Sequence, residues 1–160
     1  MVAPSDTVHI RPATTRDRPH LVRLCTGLFR EDGGVHDPST VVDWPVVHGE
    51  AYFRDLAIGS HGTCWVAEDA GGVCGYLVGR MRPPSDTRNA RVAELEEMYV
   101  APSSRGAGIG ARLVDAFFAW ALANGADRAA VTAFARNERA LDFYHRRGFA
   151  PRSVSLERPL

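Results

Sequence analysis

A glycine-rich turn between two segments of different character is the strongest chemical signal in the chain. Residues 105–110 read Arg-Gly-Ala-Gly-Ile-Gly. The pattern predicts a strand over 92–100 and a helix from 107 to about Asn124. Glycine lets backbone N–H groups approach a ligand closely, and a helix N-terminus carries a partial positive charge. The turn therefore predicts a binding site for a phosphate or pyrophosphate group.

Carboxylates are concentrated in the strand just before this turn, at Glu94, Glu96 and Glu97. Strict alternation places Glu94 and Glu96 on the same face as Met98, and Glu97 on the opposite face. Glutamates are unexpected there, because a central strand covered on both faces is mostly apolar. Burial would raise the pKa of such a carboxyl toward a value useful for accepting a proton. A solvated strand end is the alternative that the pattern leaves open.

Two well-known phosphate-binding turns fit the sequence poorly. A nucleoside-triphosphate loop needs Lys and then Ser or Thr after its last glycine, whereas Ala111 and Arg112 follow Gly110. The dinucleotide pattern G-x-G-x-x-G/A is satisfied through Ala111, and Asp127 lies about the expected distance onward. That acid should end a strand, however, and here it precedes one. Most of the chain also precedes the turn, which leaves too few strands for a doubly wound sheet.

Two segments resemble the signatures of the GNAT family of N-acetyltransferases. The family's acyl-CoA pattern is an Arg or Gln, two residues, a Gly, one residue and then Gly or Ala, and it begins here at Arg105. Residues 137–149 resemble the second signature, which is an Asn, then Ala, then Phe-Tyr and then Gly-Phe. The two segments have the order and spacing of the family, and the resemblance covers roughly residues 92–150.

The resemblance implies a GNAT-like α/β fold, formed by a single domain over residues 1–160. Its sheet is mixed and mostly antiparallel, with flanking helices and with two central parallel strands that splay apart around acyl-CoA. A bulge in the first of these strands is expected to release backbone N–H and C=O groups from the ladder. Those groups can pair with the pantetheine arm as another strand would.

Acetyl-CoA is the co-substrate that the resemblance implies, and it assigns residues to each part of that molecule. Met98, Tyr99 and Val100 would lie along the acetyl and pantetheine portions, while Asn137 and Tyr144 would line the thiol end. The amides expected to wrap the pyrophosphate belong to Arg105, Gly106, Ala107, Gly108, Ile109 and Gly110.

Acetyl transfer to an amine would need a proton acceptor, an oxyanion donor and a proton for the leaving thiolate. An alkyl ammonium with a pKa near ~10.4 is almost wholly protonated at neutral pH, so a carboxylate must take its proton. Glu96 is preferred over Glu94 and Glu97, because family members often place a glutamate at the matching position. The Met98 N–H would bind the oxyanion, and Tyr144 would protonate the thiolate unless its ring is simply buried in the core. No cysteine is paired for covalent catalysis, which favours direct attack by the amine.

An acidic, aromatic segment is the candidate acceptor site. Residues 31–47 are rich in Gly, Pro and Asp and predict a long loop. Acids and an aromatic ring could bind a cationic amine through charge and cation–π contact, although a solvated polar loop is the alternative. The sequence therefore predicts a small polyamine-, aminoglycoside- or amino-acid-like amine as the acceptor. A protein amine, or a non-catalytic acyl-CoA-binding module, remains open. The candidate acceptor residues are Glu31, Asp32, His36, Asp37 and Trp44.

Further elements of the chain predict the order β-α-α-β-β-β-α-β-α-β. Asp17 is a candidate cap for a helix that reaches about Arg30. The remaining segments are strands at 8–11, 64–68, 73–80, 129–134 and 153–156, helices at 48–58 and 137–147, and a hairpin turn at 69–72.

Composition narrows the class of protein. The chain has 160 residues and a formal net charge of zero, which gives no electrostatic support for a nucleic-acid or membrane-surface partner. No apolar run approaches the ~20 residues that span a bilayer. The N-terminus lacks a signal-type segment, the three cysteines are widely spaced, and the histidines show no metal-ligand spacing. These features predict a cytoplasmic protein without a metal, and the resemblance adds a homodimer paired through the C-terminal strand as an open expectation.

Overall fold

A mixed sheet organises the protein, as the sequence predicts, and it has five strands within the described residues. The computed structural model describes residues 7–58 and 62–160. Within them the strands lie in the order β1-β2-β3-β4-β5, antiparallel except that β5 runs parallel to β4. Their bounds are β1 His9–Pro12, β2 Gly62–Asp69, β3 Gly72–Arg82, β4 Val92–Val100 and β5 Arg128–Val131.

Helices cover both faces of this sheet. Helix α1 buries Leu21, Leu24 and Cys25, whose spacing forms one apolar stripe. The predicted cap Asp17 makes no side-chain capping bond to α1. None of the helices in the described residues is both long and apolar enough to span a membrane. The helices are α1 Arg18–Leu28, which continues through a π-helical turn Phe29–Gly33 into α2 Gly34–His36, then α3 Trp44–Ile58, α4 Ile109–Ala123 and α5 Glu138–Arg146.

The prediction of a long loop over residues 31–47 is wrong for most of those residues. The helix that begins at Arg18 runs on through the π-helical turn and α2, and α3 begins four residues before the predicted start at His48. Pro45 lies in the first turn of α3, where a missing N–H costs nothing. Residues 37–43 alone form the connection, so Glu31, Asp32 and His36 are held on helical backbone, whereas Asp37 is not.

Two apolar clusters fill the space on either side of the sheet. Leu77 and Phe117 belong to the cluster beneath α4, whereas Tyr76 and Leu24 belong to the cluster beneath α1 and α3. Successive residues of β3 enter opposite clusters, as the period of a strand requires. The sheet is therefore buried on both faces along β3, and β4 lies beside it.

A β-bulge interrupts the pairing of β4 with β3. Val78 pairs with Glu97 and the next residue, Gly79, pairs with Leu95, so Glu96 is an extra residue on β4. The bulge lies in the strand where the resemblance implies one. An extra residue breaks the two-residue period and bends the strand locally.

This bulge overturns the strict alternation expected for the glutamates. Glu96 bonds Arg80, which lies over the ring of Tyr52, and Glu97 accepts a hydrogen bond from the same Tyr52. Both carboxylates therefore lie on the face covered by α1 and α3. Met98 packs into the opposite cluster, beneath α4. The prediction that Glu96 shares a face with Met98 and lies opposite Glu97 is wrong.

The two parallel strands separate after a short paired segment. β4 and β5 pair only from Val92–Arg128 to Leu95–Val131. β4 then continues to Val100, whereas β5 ends, three residues before the predicted end at residue 134. The splayed central strands of the predicted fold class are thereby confirmed, and a gap opens along the second half of β4.

The strand predicted at 153–156 is not formed. Residues 150–160 have no regular secondary structure and are exposed, including Val154 at 79% and Leu156 at 89%. Alternation alone cannot build a strand without a neighbour to bond. The edge on which the expectation of pairing between two copies rested is therefore missing from the described fold.

Candidate active site

A cleft of about 540 Å³ occupies the gap between β4 and β5. Its walls come from the second half of β4, the glycine turn, the start of α4, the end of β5 and α5. Ala107 is not part of the wall. The predicted cofactor residues that line the cleft are Met98, Tyr99, Val100, Arg105, Gly106, Gly108, Ile109, Gly110, Asn137 and Tyr144.

The glycine turn presents backbone amides to this cleft. Gly106 and Gly108 have φ values of 85° and 74°, in the left-handed region that only glycine enters readily. The first backbone bond of α4 runs from Arg112 N to Gly108 O, at 3.1 Å. Within the described residues, the amides of 106–111 donate to no protein acceptor. A row of such amides at a helix N-terminus fits a pyrophosphate group.

Arg105 joins the turn to the acidic segment. Its guanidinium binds both carboxylate oxygens of Glu31, at 2.5 and 2.9 Å, and lies over the ring of Tyr99. The Tyr99 hydroxyl also donates to Glu31, at 2.8 Å. The hydrogen bonds from Arg105 lower the pKa of Glu31. Glu31 is thus held as an anion beside the glycine turn.

Asp32 and His36 reach the other wall. Asn137 donates from Nδ2 to Asp32 Oδ1 at 2.8 Å, while its own Oδ1 caps α5 by accepting from the amide of Ala140. The His36 ring stacks on Phe134, with its Nε2 3.6 Å from Asp32 Oδ1. The segment from the π-helical turn through α2 therefore contacts both sides of the gap.

Two of the predicted acceptor residues lie outside the cleft wall. Asp37 bonds the backbone and hydroxyl of Ser39, and Trp44 stacks on Phe29 with Tyr52 at its edge. Their roles stay predictions. Across residues 7–58 and 62–160, no group of three or more His, Cys, Asp or Glu side chains is arranged to hold a metal ion.

Glu96 is bound by two cations. Its carboxylate accepts from Arg80 Nε at 2.7 Å and from Arg82 Nη2 at 3.1 Å. Glu94 accepts from Arg82 Nε at 2.7 Å. These two arginines were missed by the sequence reasoning, although their spacing of two residues matches that of Glu94 and Glu96 on the facing strand.

Glu97 has a different set of partners, all of them neutral. Tyr52 donates to Oε1 at 2.9 Å, Tyr76 donates to Oε2 at 2.7 Å, and Cys25 Sγ lies 3.6 Å from Oε2. Burial raises the pKa of Glu97, and the charge of nearby Glu96 adds to that rise. The neutral partners come from α1, α3 and β3, and no local sequence signal links them.

Tyr144, on α5, also lines the cleft. Its ring packs edge-on against Phe143 and Phe149. Burial, with the charge of Asp32 as a second cause, raises the pKa of Tyr144 to about 12. The hydroxyl is therefore protonated at neutral pH and able to donate.

The chain belongs to the acetyltransferase (GNAT) family, because the sequence model of that family matches residues 35–149. The matched segment includes β4, the glycine turn and α5.

Solved structures share this fold. A tetramutant of the BH1408 protein from Bacillus halodurans has 24% identity and a TM-score of 0.85, with 95% of this chain and 99% of that chain covered. Aminoglycoside N-acetyltransferase AAC(6')-Iy in complex with CoA has 20% identity and a TM-score of 0.78, with 99% of each chain covered. Ribosomal-protein-alanine N-acetyltransferase from Brucella melitensis biovar Abortus 2308 has 17% identity and a TM-score of 0.70, with 96% and 100% covered.

Proposed function

We propose that this protein is an N-acetyltransferase that moves an acetyl group from acetyl-CoA to a primary amine of a small cationic molecule. The observation that carries the proposal is the gap beside β4, which ends at the unpaired amides of residues 106–111. An extended arm fits along such a strand, and a pyrophosphate fits at such a turn. When bound, acetyl-CoA would supply a thioester whose carbonyl carbon an amine can attack.

The residues around the gap offer the groups that this reaction needs. The Met98 N–H, just after the bulge, would donate to the thioester oxygen, where negative charge develops. Tyr144 would give its proton to the departing sulfur. Glu96 and Glu97 both line the cleft and offer carboxylates to the amine.

The wall of the cleft carries acidic side chains, which favours a cationic amine. Asp32 and His36 line this wall, as does Glu31, which is paired to Arg105 beside the glycine turn. Aminoglycoside N-acetyltransferase AAC(6')-Iy, which shares the fold, supports a small-molecule acceptor. The ribosomal-protein-alanine enzyme, also similar in fold, keeps a protein amine as the second candidate. Homodimer formation and a cytoplasmic location stay predictions.

Calorimetric titration with acetyl-CoA, with NADH in parallel, tests the proposal. We expect binding of acetyl-CoA alone, followed by CoA release when polyamines, aminoglycosides or amino acids are added. A panel of peptides with free N-terminal amines serves as the comparison. No binding of acetyl-CoA would refute the proposal, whereas binding without turnover on either panel would favour a non-catalytic acyl-CoA-binding module.

Replacing Tyr144 with phenylalanine should lower kcat without weakening acetyl-CoA binding. The hydroxyl is the only group removed, and the ring keeps its packing against Phe143 and Phe149. A thiolate leaves readily even unprotonated, so the expected loss is about 10- to 100-fold, at or below the usual range for a general acid. Steady-state kinetics and calorimetry give the two numbers, and an unchanged kcat would remove Tyr144 from the mechanism.

A further inference from the structure

We infer that Glu97, rather than its neighbour Glu96, takes the proton from the acceptor amine. The inference rests on the proposed function and names the residue that performs one of its steps. It follows from the bulge, which brings two consecutive carboxylates to one face of β4 and to one cleft. The oxyanion donor proposed above, the amide of Met98, belongs to the next residue along the chain.

The two carboxylates differ in whether cations contact them. Glu96 holds charge-assisted hydrogen bonds to Arg80 and Arg82, and taking up a proton would weaken both of them. Within the described residues, the donors to Glu97 are all uncharged: the hydroxyls of Tyr52 and Tyr76 and the thiol of Cys25. A proton on Glu97 therefore disrupts no ion pair.

The groups that face Glu97 determine the direction in which its pKa is shifted. Burial is the first cause that raises the pKa of Glu97, and the charge of Glu96 also raises it. The bonds from Tyr76, Tyr52 and Cys25 act in the opposite direction without cancelling the rise. Two adjacent carboxyl groups in such different surroundings divide the roles of base and fixed charge between them.

Other ionisable groups near this site do not bring a cation to Glu97. Burial, with the charge of Glu97 as the second cause, raises the pKa of Cys64 on β2 to about 12, so this thiol stays neutral. Arg80 faces Glu96 and the ring of Tyr52. The surroundings of Glu97 are thus built from neutral donors and one neighbouring anion.

The proposed step moves a single proton. The N–H bond of the acceptor ammonium breaks, its electron pair stays on nitrogen, and the proton passes to the Glu97 carboxylate. Glu97 becomes a neutral carboxylic acid, and the neutral amine can then attack the thioester. Glu97 must return its proton to solvent before the next cycle.

Matched substitutions distinguish the two glutamates. Glu97→Gln should lower kcat/KM by about 10²- to 10⁴-fold, the usual range for a general base, while the Kd for acetyl-CoA is unchanged. Glu96→Gln should cost less and should move the acid limb of the pH–rate profile to lower pH, because a negative neighbour of Glu97 is removed. A larger loss in Glu96→Gln, with Glu97→Gln unaffected, would overturn the inference.

Tyrosine variants test the inference even if Glu97→Gln fails to fold. Tyr52→Phe removes one donor to ionised Glu97, so the acid limb should move to higher pH. Tyr144 lines the same cleft, but its hydroxyl makes no bond to Glu97. Tyr144→Phe should therefore leave the acid limb in place. If neither Tyr52→Phe nor Glu96→Gln shifts the acid limb of the pH–rate profile, Glu97 has a structural role and is not the base. If the wild-type protein transfers no acetyl group at all, the proposed function fails instead.

Discussion

Replacing Gly108 with alanine is expected to weaken acetyl-CoA binding by about 5- to 30-fold. Gly108 has a φ of 74°, and a β-carbon there would meet nothing within 4 Å. The penalty is therefore conformational, roughly 1–2 kcal/mol for an L-residue in the left-handed region. The turn can escape the strain only by re-aiming its amides, and each 1.4 kcal/mol lost in binding is tenfold in Kd. Calorimetry with acetyl-CoA measures the change.

Gly125 supplies the matched control at the other end of α4. Its φ is 71°, and a β-carbon there also meets nothing within 4 Å. Gly125→Ala should therefore cost a similar amount of unfolding free energy while leaving the Kd unchanged. Equal Kd values for the two variants would mean that the turn at Gly108 does not hold the pyrophosphate.

This turn could be predicted because its signal is local. The glycines at 106 and 108 indicate a turn with positive φ values, and the apolar spacing that follows indicates a helix. Neither inference depends on residues far away in the sequence. The splay of the central strands and the gap between them were implied by the resemblance to the GNAT family, not by the local pattern. Asn137 was identified through the second signature, and in the structure its side chain caps the helix that begins at the next residue.

The environment of the glutamates could not be predicted, because it depends on one extra residue in a pairing between strands. The bulge reverses the face of every residue before it relative to those after it. Gly79 lies opposite the bulge, and a β-carbon there would lie 2.9 Å from the ring of Phe117 on α4. This close approach of helix to strand is a tertiary contact, and the local pattern around Glu96 and Glu97 contains no trace of it.

The acidic segment was misassigned for a related reason. Gly33 and Gly34 favour a loop by propensity, yet both continue the helix. A β-carbon on Gly33 would lie 2.7 Å from Thr40 Cγ2, and one on Gly34 would lie 2.8 Å from Val42 Cγ1. These glycines are required where residues 37–43 fold back against the helix, so close packing rather than chain flexibility explains them.

Asp17→Asn should destabilise the protein by about 2–3 kcal/mol at pH 7, because it breaks a buried ion pair. The Asp17 side chain is 6% exposed and binds both terminal nitrogens of Arg11, at 2.8 and 2.9 Å. It also accepts from the amide and hydroxyl of Thr14, at 2.7 and 3.1 Å. The exposed pair of Arg54 with Asp55 gives the control, since Asp55→Asn should change the unfolding free energy by less than about 1 kcal/mol.

The pair of Arg11 with Asp17 also sets how the protein responds to acid. Hydrogen bonds from Arg11 lower the pKa of Asp17 to about 2. A lowered pKa means that the stabilisation is complete above the unfolded value near ~3.9 and is lost as the pH falls toward 2. Urea unfolding at pH 7, 5 and 3 should show the wild-type protein losing its advantage over Asp17→Asn only at the lowest pH. Parallel losses in both proteins would contradict this assignment.

Because the pKa of Glu97 is raised rather than lowered, its titration lies above that range, and the acid limb of the rate profile can be measured while the protein remains folded.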